Sequence, residues 1–140
     1  ILVFSGLGSM LSNRICSKIP LSMILVAVVV GMILWAIGGG PLLNALIAIP
    51  EYLRIITAVL LLAPISFLMG MAFPQAVKKL NESGERDLGI YWAWNGVASV
   101  TASVLAVILA MGFGFSLVLG LAAASYLLAA ILAPRLSRAS

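Results

Sequence analysis

Few residues in this chain can do chemistry in an apolar medium, and Asn95 leads them. It lies in Tyr91-Trp92-Ala93-Trp94-Asn95-Gly96, about one turn into an uncharged run, where an amide is costly and functional by default. Its carboxamide has two readings. One is an interhelical hydrogen bond or a link to backbone freed by Pro74; the other is a polar contact to a substrate or lipid headgroup entering from the cytoplasm. Glu51 and Arg54, spaced so that their side chains meet on a helix, read as an interfacial ion pair or, in the sharper reading, as a proton or substrate site. Ser99 and Ser103, with Gly96 and with Ala98, Ala102, Ala106 and Ala110 at four-residue intervals, make this helix small-faced, a pattern that mostly serves to pack against a neighbour. Pro64, Gly70 and Pro74 together with Asn95 fit the pattern of a broken helix beside a transporter's binding site.

Much other chemistry is excluded. Histidine is absent, which removes the commonest general base and the commonest metal and haem ligand. Cys16 is the one cysteine, so no intrachain disulfide forms, and beside Arg14 and Lys18 it reads as a spectator thiol. Gly6-Leu7-Gly8 has Leu11, and Gly112-Phe113-Gly114 has Leu117, where a dinucleotide fingerprint needs its third glycine, and no strand precedes either. Without a phosphate loop, a metal-ligand cluster or an intramembrane acid pair, the expectation is no catalytic residue, no cofactor and no metal in these 140 residues.

The elements that position these residues follow from composition. With 64% hydrophobic residues, 9% charged residues and a mean hydropathy of +1.24, the chain holds more apolar surface than a water-soluble core can hide. No charge occurs between Lys18 and Glu51, between Arg54 and Lys78, or between Asp87 and Arg135, and each gap exceeds the ~20 residues needed to cross ~30 Å of hydrocarbon. The predicted fold is all-α: a polytopic transmembrane bundle of about five segments over 1–12, 21–37, 55–77, 90–111 and 115–133. Its first segment is truncated, so the chain reads as a fragment or part of something longer. Gly38-Gly39-Gly40-Pro41 predicts a helix stop, followed by an interfacial or re-entrant piece over 41–50. Pro64 and Pro74 predict kinks in the third span. Residues 78–89 form the hydrophilic loop. The uncharged run from Leu88 to Pro134 would be ~70 Å long as one helix, so it folds back at Gly112-Phe113-Gly114 into a hairpin.

Alternation puts Arg14, Lys18, Lys78, Lys79, Arg86, Arg135 and Arg138 on one face and Arg54 on the other. The positive-inside rule makes the first face cytoplasmic. Loops 13–20 and 78–89 and the C-terminus are then cytoplasmic in a bacterial inner membrane. Tyr91, Trp92 and Trp94 lie at the inner boundary and Trp35 and Tyr52 at the outer one. The net charge of +4 comes in twos and threes at span ends and forms no stripe for nucleic acid. The expected partners are the lipid bilayer and other transmembrane helices.

Two stretches carry a resemblance. Leu62-Ala63-Pro64-Ile65-Ser66-Phe67-Leu68-Met69-Gly70-Met71-Ala72-Phe73-Pro74 is followed by Trp92-Ala93-Trp94-Asn95-Gly96-Val97-Ala98-Ser99-Val100, then by Gly112-Phe113-Gly114-Phe115 and Tyr126-Leu127-Leu128-Ala129. In series they resemble the membrane region of bacterial spermidine synthase-like proteins, in which a multi-spanning domain is joined to an aminopropyltransferase-type domain. Thr101, where that family often has glycine, is a departure that bears on helix packing. The resemblance implies a donor site in a separate Rossmann-like domain whose glycine-rich and acidic motifs are not in this sequence, so no catalytic residue carries over. Gly70, Pro74, Trp92, Trp94, Asn95 and Gly96 carry over only as the signature of the membrane part. The expected function is a non-catalytic anchor or scaffold for a partner domain or membrane complex. The alternatives are part of a transporter with a broken-helix site near Pro64, Pro74 and Asn95, or the membrane part of a spermidine synthase-like enzyme whose catalytic domain is outside this chain.

Overall fold

The computed structural model describes residues 1–15, 19–84 and 86–136, the last two of these without their side chains. Cys16, Lys18 and Arg138, and the side chain of Arg135, lie outside the described residues. The chain folds into five α-helices: α1 (Leu2–Ile15), α2 (Leu21–Leu46), α3 (Glu51–Glu82), α4 (Leu88–Phe113) and α5 (Phe115–Leu136). There is no strand among the described residues. Four of the helices, all but α1, are long and apolar enough to cross a membrane.

The helix ends have local causes. Pro20 and Pro50 stand immediately before α2 and α3, where a missing N–H costs nothing because the first turn has no acceptor for it. α3 closes with the Ser83 hydroxyl donating to the Lys79 carbonyl at 2.9 Å, and Gly84, at φ 82°, turns the chain out of the helix in the left-handed conformation that glycine allows. Gly114, at φ 87°, does the same between α4 and α5. The reversal therefore takes one residue, and Gly112 stays helical.

Several boundaries differ from the expected ones. α2 does not stop at Gly38-Gly39-Gly40-Pro41 but runs through all four residues to Leu46, so no separate interfacial or re-entrant piece occupies 41–50; residues 47–50 are a turn. A helical glycine costs about 1 kcal/mol and a proline removes one bond, whereas ending a helix in hydrocarbon strands several backbone groups with no water to receive them. α3 is likewise continuous through Pro64 and Pro74, which removes the broken helix from the transporter reading. It begins at Glu51 and continues past residue 77 to Glu82, shrinking the hydrophilic loop to residues 83–87. Lys78 and Glu82, 3.9 Å apart, form a pair of the spacing that supports a helix end. α1 also extends beyond residue 12, to Ile15.

The packing is layered around α2 and α3. Leu21 and Leu25 of α2 pack with Ala130 and Ala133 of α5, and Ala72, Ala76 and Tyr126 lie against this cluster. Further along, a Cβ on Gly31 would lie 3.0 Å from the Ile65 side chain, so α2 and α3 are antiparallel. The tightest approach joins α1 to α3: a Cβ on Gly8 would strike the Phe67 carbonyl, and one on Gly70 would strike the Ser5 carbonyl. Asn13 shares a groove with Lys78 and Asn81, so α1 runs in the same direction as α3. Small residues at such a crossing let the two backbones touch.

Burial is very uneven. Val28 and Met71 are fully enclosed, yet α4 has no buried residue. Its half-buried alanines, Ala106 and Ala110, lie near the Gly114 turn, while Ala98 and Ala102 are exposed.

Candidate functional site

The polar residues of the spans mostly satisfy themselves. Ser99 donates to the Asn95 carbonyl at 2.7 Å, Thr101 to Val97 at 2.9 Å and Ser103 to Val100 at 2.8 Å. Thr57, Ser66 and Ser125 bond within their own helices in the same way. Each hydroxyl hydrogen is thereby spent on its own backbone, which suits an apolar solvent and leaves the oxygen as an acceptor.

Against that pattern one cleft stands out. About 460 Å³ in volume, it lies between α1, α3, α4 and α5 and is lined by Ser5, Ser9, Gly70, Pro74, Trp92, Asn95, Ser99 and Tyr126, among others. Its walls are set by two contacts. The Gly8–Phe67 and Gly70–Ser5 approach fixes α1 on α3, and Phe73 meets Trp92 edge-on, ring centroids 4.8 Å apart at 84°, which links α3 to α4 with a favoured aromatic geometry. Five residues singled out from the sequence therefore converge: Gly70, Pro74, Trp92, Asn95 and Ser99.

The others do not join them. Glu51 and Arg54 are in the first turn of α3, ~28 Å and ~24 Å from Gly70 at 1.5 Å per residue, and among the described residues they form no ion pair with one another. Trp94 is 68% exposed, Gly96 has open space where a side chain would stand, and Ser103 is exposed one turn beyond Ser99 on α4.

Asn95 itself is half-buried, and among the described residues its carboxamide makes no hydrogen bond, while its backbone carbonyl accepts from the Ser99 hydroxyl. The interhelical bond expected of it is not formed, so the amide presents two donors and an acceptor to the cleft. Asn95→Leu is accordingly expected to leave the thermal stability of the purified chain within about 0.5 kcal/mol of the parent, the range of substitutions that remove no native contact. A large loss of stability in detergent would show that the amide holds helices together.

The sequence reading passed over two residues. Gln75 is buried, and its amide nitrogen donates to the Ile19 carbonyl at 3.3 Å, tying α3 to the residues just before α2. It satisfies the criterion that selected Asn95, an amide inside an apolar run, and directly follows Pro74. Tyr126 brings a phenol from the middle of α5 into the cleft; a lone tyrosine deep in a span was the available signal.

A second cleft of about 530 Å³ between α2, α3 and α5 is lined by Leu21, Leu25, Phe73, Leu132 and alanines and has no polar group with which to orient a ligand. Among the described residues no cluster of His, Cys, Asp or Glu could hold a metal ion. The polar cleft is therefore equipped to bind by hydrogen bonding and shape; it contains no charged side chain and no base beside a nucleophile.

Compared with protein families, curated proteins and solved structures, the chain matches none.

Proposed function

We propose that this chain is a non-catalytic integral membrane domain that anchors or scaffolds a partner domain or a membrane complex. The observation that carries the reading is α4. It is long and apolar enough to span a bilayer, none of its residues is buried, and its exposed Ala98 and Ala102 lie one turn apart on the same face. Such a face lets another helix approach closely, and the self-bonded hydroxyls of Ser99, Thr101 and Ser103 demand nothing of that partner. In this reading the chain lies in a bacterial cytoplasmic membrane, with Arg14, Lys78 and Lys79 on the cytoplasmic side as the positive-inside rule requires.

The test is extraction from native membranes in a mild detergent, followed by native electrophoresis. The parent is expected to migrate in an assembly larger than the lone chain. Ala98→Leu with Ala102→Leu is expected to release it from the assembly while leaving the unfolding temperature of the isolated chain unchanged. Turnover or transport of a substrate by the purified chain in liposomes, with no partner present, would overturn the proposal.

A second reading draws support from one observation. The Gly70-to-Pro74 and Trp92-to-Gly96 stretches that resemble spermidine synthase-like proteins come together at one cleft through Phe73 and Trp92. In that reading the anchored partner is a catalytic domain outside this chain. The gene sequence on either side decides it, through the presence or absence of a glycine-rich strand-turn-helix motif accompanied by carboxylates.

A further inference from the structure

The polar cleft does not end at Trp92. A groove of about 600 Å³, lined by Asn13, Lys78, Asn81 and Glu82, shares Ser9, Pro74 and Trp92 with it. Together they form one slot between α1, α3 and α4, graded in polarity along its length. At one end stand a cation, an anion and two carboxamides. Asn95 follows, ~4.5 Å beyond Trp92 along α4, and Gly70 and Phe73 lie deeper among apolar side chains. From Lys78 to Gly70 the slot covers ~12 Å along α3.

We propose that this slot holds one zwitterionic phosphate-ester lipid. Its phosphate meets Lys78 with Asn13 and Asn81, its ammonium meets Glu82, its ester carbonyls face the Asn95 amide, and its chains pass over Gly70 and Phe73. The assignment follows from charge and order. Lys78 and Glu82 line the same groove 3.9 Å apart, with side chains 45% and 62% exposed. An exposed pair at that separation contributes little, so a headgroup carrying both signs can insert and satisfy each partner. A purely anionic headgroup would leave Glu82 facing its phosphate. The carboxamide free of protein partners stands where the ester oxygens of a lipid follow its phosphate. The inference rests on the bundle being embedded in lipid and is independent of whether α4 has a protein partner.

The test is native mass spectrometry of the full chain, released from detergent after equilibration with equimolar dioleoyl phosphatidylethanolamine, phosphatidylcholine and phosphatidylglycerol. One phosphatidylethanolamine is expected to be retained in preference to the other two. Lys78→Ala and Glu82→Gln, both at exposed positions, should each lower its retention about tenfold, the scale of a lost hydrogen bond to a charged group. Soluble glycerophosphoethanolamine should fail to compete, because the slot also takes the ester and chain regions. Equal retention of all three lipids, preference for phosphatidylglycerol, retention unchanged in both variants, or competition by the free headgroup would each overturn the proposal. Loss of the α4-dependent assembly alone would leave lipid retention intact.

Discussion

Gly70→Ala is expected to separate α1 from α3 and to lower the stability of the bundle by about 3 kcal/mol, at or above the upper end for overpacking a close contact. The added methyl would meet the backbone carbonyl of Ser5, and a backbone cannot turn aside as a side chain can. Gly8→Ala should act the same way from the other helix, because its methyl would meet the Phe67 carbonyl. Two controls isolate the cause. Gly6→Ala, on the same helix with nothing within 4 Å of its new methyl, should be silent. Gly31→Ala meets only the Ile65 side chain at 3.0 Å, which can change rotamer, and should cost less than about 1 kcal/mol. Thermal unfolding in detergent measures all four; equal effects at Gly6 and Gly70 would mean that α1 does not cross α3 where described.

The second large effect concerns two methionines of identical chemistry. Met71 is 1% exposed and Met111 is 81% exposed. Met71→Ala should cost about 2–5 kcal/mol through lost contacts and the cavity left behind, and Met111→Ala less than about 0.5 kcal/mol, as for a surface site. The comparison cancels differences in helix propensity and hydrophobicity, leaving burial as the variable. Similar losses at both positions would mean that the inward face of α3 is wrongly assigned.

Which parts were legible in the sequence follows from what each signal measures. The all-helical fold and the hairpin at Gly114 could be read because charge-free runs and a glycine turn answer directly to bilayer thickness and backbone sterics. The ends of α2 and α3 could not. Gly38 to Pro41, Pro64 and Pro74 are helix breakers when water can receive the freed backbone groups, and they lose that force where the alternative is unpaired amides in hydrocarbon. The extension of α3 through Lys78 to Glu82 was hidden by reading charge as loop, although these residues are good helix formers.

At the site, only the fold shows that Gly8 and Gly70 meet backbone while Gly6 and Gly96 meet nothing. Asn95 was visible as a polar intruder. That it lacks the expected helix partner depends on how α4 stands off from the other helices, which no local pattern encodes. Glu51 and Arg54 have the right spacing for a pair, yet exposed ion pairs gain too little to hold two long side chains together.

Alternation of the helices across a bilayer underlies both the α4 face and the lipid slot, and side-specific labelling tests it most directly. Single cysteines at Asn13, Ala48, Ser83 and Phe113, each in a Cys16→Ser background, would be exposed to a membrane-impermeant maleimide in sealed, oriented vesicles. Asn13 and Ser83 are expected to react from one side only, and Ala48 and Phe113 only from the other. Labelling of all four positions from the same side would contradict the account.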